Sequence, residues 1–133
     1  MVYIFVGAAG MAGALFRYCL GIFSEGLWDF TFPLGTFLAN MIGSFMLGLF
    51  TTYFIQTKKV SPKAATAIGT GLIGSFTTFS TFSVETVNLL SHSHVLLALV
   101  YVVGSASGGL MMSWAGYTVG MNTYRNKQKG ATP

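Results

Sequence analysis

Ionised side chains are the scarcest thing in this sequence. Charged residues fill 8% of its 133 positions, against about 25% in an ordinary soluble domain. Only three of them are acidic: Glu25, Asp29 and Glu85. Cysteine occurs once, as Cys19, so no intrachain disulfide can form and cysteine usage says nothing of redox compartment. No phosphate-binding loop, nucleophile–base pair or dinucleotide fingerprint is present. His92-Ser93-His94 offers two ligands, too few for a metal site. Tyr117-Thr118-Val119-Gly120 lacks the following Tyr-Gly and the pore-loop setting of a potassium filter. What the chain has in quantity is apolar surface: 53% hydrophobic residues, 15% aromatic, and a mean hydropathy of +0.65. A chain this short cannot hide so much of it from water. A soluble globular enzyme, a disordered chain and a nucleic-acid-binding module are therefore excluded.

The apolar residues fall into four stretches, at about 2–23, 33–55, 64–90 and 95–121. Each supplies the roughly 20 residues that a helix needs to cross the hydrocarbon core of a bilayer. No repeated period-two alternation marks transmembrane strands. The expected fold is thus an all-α membrane protein, a single four-helix transmembrane domain over residues 1–133 with a polar tail at 122–133. The first stretch lacks a basic leader, and its apolar run exceeds the ~7–15 residues of a signal-peptide core, so it is read as retained. The tail ends in no lipidation motif.

The net charge of +4 matters less than its placement. With four crossings, the N-terminus, the middle loop and the C-terminus share one side. That side carries Lys58, Lys59, Lys63, Arg125, Lys127 and Lys129, while the opposite loops carry only Glu25 and Asp29. The positive-inside rule places both termini in the cytoplasm. Trp28 and Tyr53 stand where interfacial aromatics belong.

Several residues do not belong in lipid. Arg17 lies inside the first stretch, where a cation either snorkels to the headgroups or faces protein and water. Asn40 lies inside the second; its amide either glues helices together or serves a pore. The third stretch holds Gly69, Gly71 and Gly74 followed by a Ser/Thr run, a composition that weakens helix and predicts a break near 74–78. Freed carbonyls at such a break can coordinate a cation; the alternative is a helix with a Gly-lined packing face. Phe76, Phe79 and Phe82 recur every third residue and share a face if helix resumes. Their positive ring edges, beside hydroxyls, can attract an anion. Glu85 is the only acid within a crossing and is near enough to its end to reach the interface. In the fourth stretch Tyr101, Ser105 and Ser113 form a hydroxyl stripe in which Gly109 leaves a gap. Gly104 with Gly108, and Gly116 with Gly120, read as close helix packing.

Three motifs carry a resemblance. Ala9-Gly10-Met11-Ala12-Gly13-Ala14-Leu15-Phe16-Arg17-Tyr18, Gly35-Thr36-Phe37-Leu38-Ala39-Asn40-Met41-Ile42-Gly43-Ser44-Phe45 and Gly74-Ser75-Phe76-Thr77-Thr78-Phe79-Ser80-Thr81-Phe82-Ser83 resemble the first-, second- and third-helix signatures of the CrcB/Fluc fluoride channel family. The departures are Ala9 and Ser75, where glycines are common, and Gly109. The resemblance implies two subunits inserted antiparallel, with two narrow pores along their interface. It implies that Asn40 contacts the permeating anion and that Phe79 and Phe82 meet it edge-on. Tyr101, Ser105, Ser80, Thr81 and Ser83 are the implied polar lining, and Arg17 an electropositive vestibule. The implied cofactor is a structural sodium ion held by the backbone carbonyls of Gly74 and Thr77 from both subunits.

The function so expected is passive, fluoride-selective export across the cell membrane that relieves fluoride toxicity. A small multidrug-type proton-coupled exporter is the alternative; its chemistry needs a carboxylate deep in the first crossing, where this chain has Arg17 instead. A non-transporting membrane scaffold is the third reading. The one-sided Lys/Arg bias further asks whether this chain pairs with itself or with an oppositely inserted relative.

Overall fold

A computed structural model describes residues 2–27, 31–57 and 60–129 of the chain. Trp28, Asp29, Lys58, Lys59 and the end of the tail at 130–133 lie outside the described residues. Every regular element among the described residues is helical. The order is α1 (Val2–Leu27), α2 (Leu34–Leu49) running into a π-helical segment π1 (Phe50–Ile55), α3 (Pro62–Thr66), π2 (Ala67–Ile73), α4 (Gly74–Phe76), α5 (Ser80–Ser91) and α6 (Val95–Lys129).

Three helices among the described residues are long and apolar enough to cross a membrane: Val2–Gly26, Leu34–Phe54 and Val95–Gln128. The stretch expected as the third crossing is broken, as its composition predicts, into two helical runs. One is α3, π2 and α4 in succession; the other is α5; the chain leaves helical geometry between them at Thr77, Thr78 and Phe79. Local chemistry sets these limits. Ser61 caps α3 by accepting from the Ala64 N–H at 3.3 Å, with Pro62 in the first turn, where its missing N–H costs nothing. After α5 the chain turns back in three residues, with Ser93 at φ 64° and the His94 N–H donating to the Leu89 carbonyl at 2.9 Å. Helix α6 runs 35 residues, through the segment that composition marks as a polar tail. No proline or glycine interrupts 121–129, and Gln128 Nε2 donates to the Tyr124 hydroxyl one turn back. At about 52 Å it is longer than the ~30 Å hydrocarbon core.

Backbone contact, rather than side-chain bulk, joins these helices. A methyl group at Gly48 would collide with the Ser113 carbonyl, and one at Gly116 with the Phe45 carbonyl. Helices α2 and α6 therefore pack with their main chains touching, as small residues allow in membranes. Gly13 is likewise pressed on the Leu72 carbonyl of π2. The buried cluster is small: Leu89, Ala98 and Tyr101, with Phe32, Phe37, Phe82 and Leu97 packed on it. Large apolar side chains such as Tyr3, Leu96 and Trp114 point outward, which suits lipid as the surrounding solvent.

Candidate functional site

The site is a seam between α2 and α6, closed on one side by the broken segment. The two helices rise in parallel. Gly104 faces Phe37, Gly109 faces Ser44, Gly48 meets Ser113 and Gly120 meets Thr52, so successive contacts climb both helices together. On α2 the seam-facing positions Thr36, Asn40 and Ser44 follow one another a turn apart. Tyr101, Ser105, Gly109 and Ser113 do the same on α6.

At one end of the seam, Glu85 of α5 is tied between the two helices. The Thr36 hydroxyl donates to Oε1 at 2.8 Å and the Tyr101 hydroxyl to Oε2 at 2.7 Å. Tyr101 has no exposed surface, and its ring lies against Phe82 and Phe32. The position of Glu85 in sequence points to the interface; its carboxylate is instead spent on two hydroxyls within the bundle. It also borders two clefts, one of about 240 Å³ with Ser24 and Thr31, the other of about 330 Å³ with Asn88, His92 and His94.

One turn further along, Asn40 holds the break open. Its Nδ2 donates to the Thr78 carbonyl at 3.0 Å, and its Oδ1 accepts from the Thr78 N–H at 2.9 Å. A continuing helix would send that N–H to the Gly74 carbonyl. Likewise the Thr81 N–H, which a continuing helix would send to the Thr77 carbonyl, donates to Thr78 Oγ1 at 3.2 Å. The Gly74 carbonyl keeps only a 3.4 Å contact from the Thr77 hydroxyl. Two side chains, Asn40 and Thr78, thus divert the donors that would otherwise consume the Gly74 and Thr77 carbonyls. Neutral carbonyl oxygens released from the helix ladder are the ligands a hard cation takes, so the donor set fits the sodium ion that the motif resemblance implies.

Beside the break lies a cavity of about 620 Å³. Asn40, Ser44, Thr78, Phe79, Phe82, Ser105 and Gly109 are among its lining residues, and no ionised side chain is among them. Phe79 and Phe82 stand 6.0 Å apart with ring planes at 35°. Phe79 is 79% exposed in the single chain. Phe76 does not join them: the break turns it to a separate apolar groove of about 470 Å³ with Phe16, Leu20 and Ile42.

The sequence matches the family model described as CrcB-like protein, Camphor Resistance (CrcB), over residues 4–117. The chain belongs to the CrcB family. Among its curated CrcB relatives, "Fluoride-specific ion channel FluC 1" of Bacillus cereus is 52% identical over 120 residues, covering 90% of this chain and 88% of that protein. "Fluoride-specific ion channel FluC 2" of Geobacillus kaustophilus is 49% identical over 117 residues, 88% of this chain and 91% of the relative. "Fluoride-specific ion channel FluC 1" of Moorella thermoacetica is 40% identical over 116 residues, 87% and 83% respectively.

Of the residues singled out in the sequence, the structure brings Asn40, Gly74, Thr77, Phe79, Phe82 and Ser105 to one cavity. Tyr101 is not among its lining residues; the hydroxyl points at Glu85. Ser80, Thr81 and Ser83 are also off it: Ser80 and Thr81 bond with the Thr78 hydroxyl, and Ser83 donates to the Phe79 carbonyl at 2.9 Å. Arg17 is half-buried on α1, outside both this cavity and the apolar groove. Thr36, Ser44 and Thr78 belong to the site although no single-residue argument selects them. The one-turn spacing of Thr36, Asn40 and Ser44 in an apolar helix was the signal available.

Proposed function

We propose that this protein is a fluoride-selective channel that lets the anion leave the cytoplasm passively and so limits its toxicity. The observation that carries this reading is the 52% identity, across 90% of the chain, to a relative named a fluoride-specific ion channel. The cavity chemistry supports it. Fluoride is small and strongly hydrated, so a pore must replace its water with donors. Amide and hydroxyl hydrogens at Asn40 and Ser105, with the positive edges of Phe79 and Phe82, supply such contacts. No fixed charge sits among them to trap the ion, and conduction requires binding that is releasable.

The working unit is an antiparallel pair. Support comes from the single chain itself, which leaves Phe79 and Gly74 exposed beside a cavity that a second copy can close. In that pair the Gly74 and Thr77 carbonyls of both subunits hold a structural sodium ion, which offsets the convergence of backbone dipoles at the crossing. Arg17 makes the mouth electropositive. Tyr101, Ser80, Thr81 and Ser83 border the path where the second copy or a rotamer change presents their hydroxyls to it. The protein resides in the cell membrane, and where insertion is one-way the Lys/Arg bias puts both termini in the cytoplasm. The partner is a second copy or a relative of opposite charge bias.

Purified protein in liposomes loaded with fluoride or with chloride tests the function. Fluoride leaves and chloride stays if the reading is right; equal fluxes of the two halides overturn it.

A further inference from the structure

We infer that Ser44, on α2, supplies the hydroxyl that the α6 stripe lacks at Gly109. The inference rests on the channel reading above and assigns an anion-contacting residue within that path.

Three observations carry it. First, the gap is real and has the wrong size for a dehydrated anion. Ser105 and Ser113 are two turns apart, about 12 Å along the axis, whereas one turn separates neighbouring polar positions elsewhere in the seam. Second, Ser44 stands where the missing side chain would be. A methyl group placed on Gly109 would lie 3.6 Å from Ser44 Oγ. Both residues line the cavity of about 620 Å³ that also holds Asn40 and Ser105. Third, the Ser44 hydroxyl is unspent. Hydroxyls in membrane helices ordinarily donate to a carbonyl a turn back; here Thr52, Thr86 and Ser107 do so at 2.8, 2.8 and 2.6 Å. Among the described residues Ser44 has no hydrogen-bond partner. Among the described residues no buried side-chain oxygen is left without a partner, so the Ser44 oxygen is open to the cavity. An anion leaving Asn40 and Ser105 therefore meets a free donor one turn on, from the neighbouring helix rather than from α6.

The geometry predicts a rescue. Ser44→Ala removes the donor and keeps the backbone contacts of α2. Gly109→Ser restores a hydroxyl from the opposite side, into ordinary contact distance of position 44 and of the Met41 methyl at 3.8 Å. In the liposome assay, Ser44→Ala slows fluoride efflux by about tenfold, the ratio one hydrogen bond to an ion is worth. The double variant Ser44→Ala, Gly109→Ser returns to within about threefold of the parent, on the same scale. Unchanged efflux in Ser44→Ala, or a double variant as slow as the single one despite equal thermal stability, overturns the inference. Failure of the channel reading looks different: the unmodified protein itself then releases no fluoride.

Discussion

Asn40 shows how one amide can do two things at once. It lines the cavity, and it mimics a strand partner by pairing with both the N–H and the carbonyl of Thr78. The sequence leaves open whether this residue glues helices or serves a pore; the structure has it bonded across helices while facing the cavity. Replacement by leucine strands both Thr78 groups away from water, at about 1–3 kcal/mol each. Asn40→Leu is therefore expected to lower the thermal unfolding midpoint in detergent as well as to abolish fluoride efflux. Asn40→Asp keeps the acceptor for the Thr78 N–H but sets a carboxylate oxygen against the Thr78 carbonyl, so it too should unfold below the parent, and it should conduct poorly because a fixed negative charge repels the anion. Equal midpoints for the parent and Asn40→Leu would show that the clamp contributes nothing to the fold. Glu85 teaches the complementary lesson. Its depth in the crossing is readable from sequence, but its two hydroxyl partners, Thr36 and Tyr101, lie on other helices. Periodicity within one segment carries no information about such a meeting.

At the scale of elements, length and apolarity announce α1, α2 and α6, because a helix in lipid has to satisfy all its own backbone groups. The break was legible too, as glycines followed by hydroxyl residues, though its place depends on Asn40 and Thr78 and falls at Thr77–Phe79. The π-helical turns before and within the third stretch were not legible. The two G-x-x-x-G pairs of α6 look alike in sequence and differ in the structure. A methyl group at Gly116 would collide with the Phe45 carbonyl and one at Gly120 would lie 3.3 Å from the Leu49 carbonyl, whereas one at Gly104 would meet nothing nearer than the Phe37 ring at 3.9 Å. Gly116→Ala is thus expected to push α2 and α6 apart and to cost about 1–3 kcal/mol, the range for overpacking. Gly104→Ala should be tolerated. Unfolding midpoints of the two variants, measured side by side, check the ordering; a Gly104→Ala protein as unstable as Gly116→Ala would refute it.

At the scale of the whole molecule, the basic residues ask for one orientation while an antiparallel pair needs two. Every Lys and Arg outside Arg17 falls on the side of the termini and the middle loop, and the bias acts on insertion through those flanking segments. If that bias governs insertion, the chain enters the membrane one way and an antiparallel pair then needs an oppositely marked relative. C-terminal tags in cells lacking any relative are expected on the cytoplasmic face alone. Neutralising Lys58, Lys59 and Lys63 together should produce tags on both faces. Tags already divided equally in the unmodified chain would point to a pair made from identical copies.

The side-by-side climb of α2 and α6 also constrains how this lineage can drift. Adding or removing a single residue inside either helix would rotate everything beyond it by about 100°. The donors past that point would swing towards hydrocarbon while their opposite numbers stayed in place. Substitutions there can be forgiven one at a time; a change of frame cannot. Gaps in an alignment of this chain with its kin should therefore collect in the loops and be missing from these two helices.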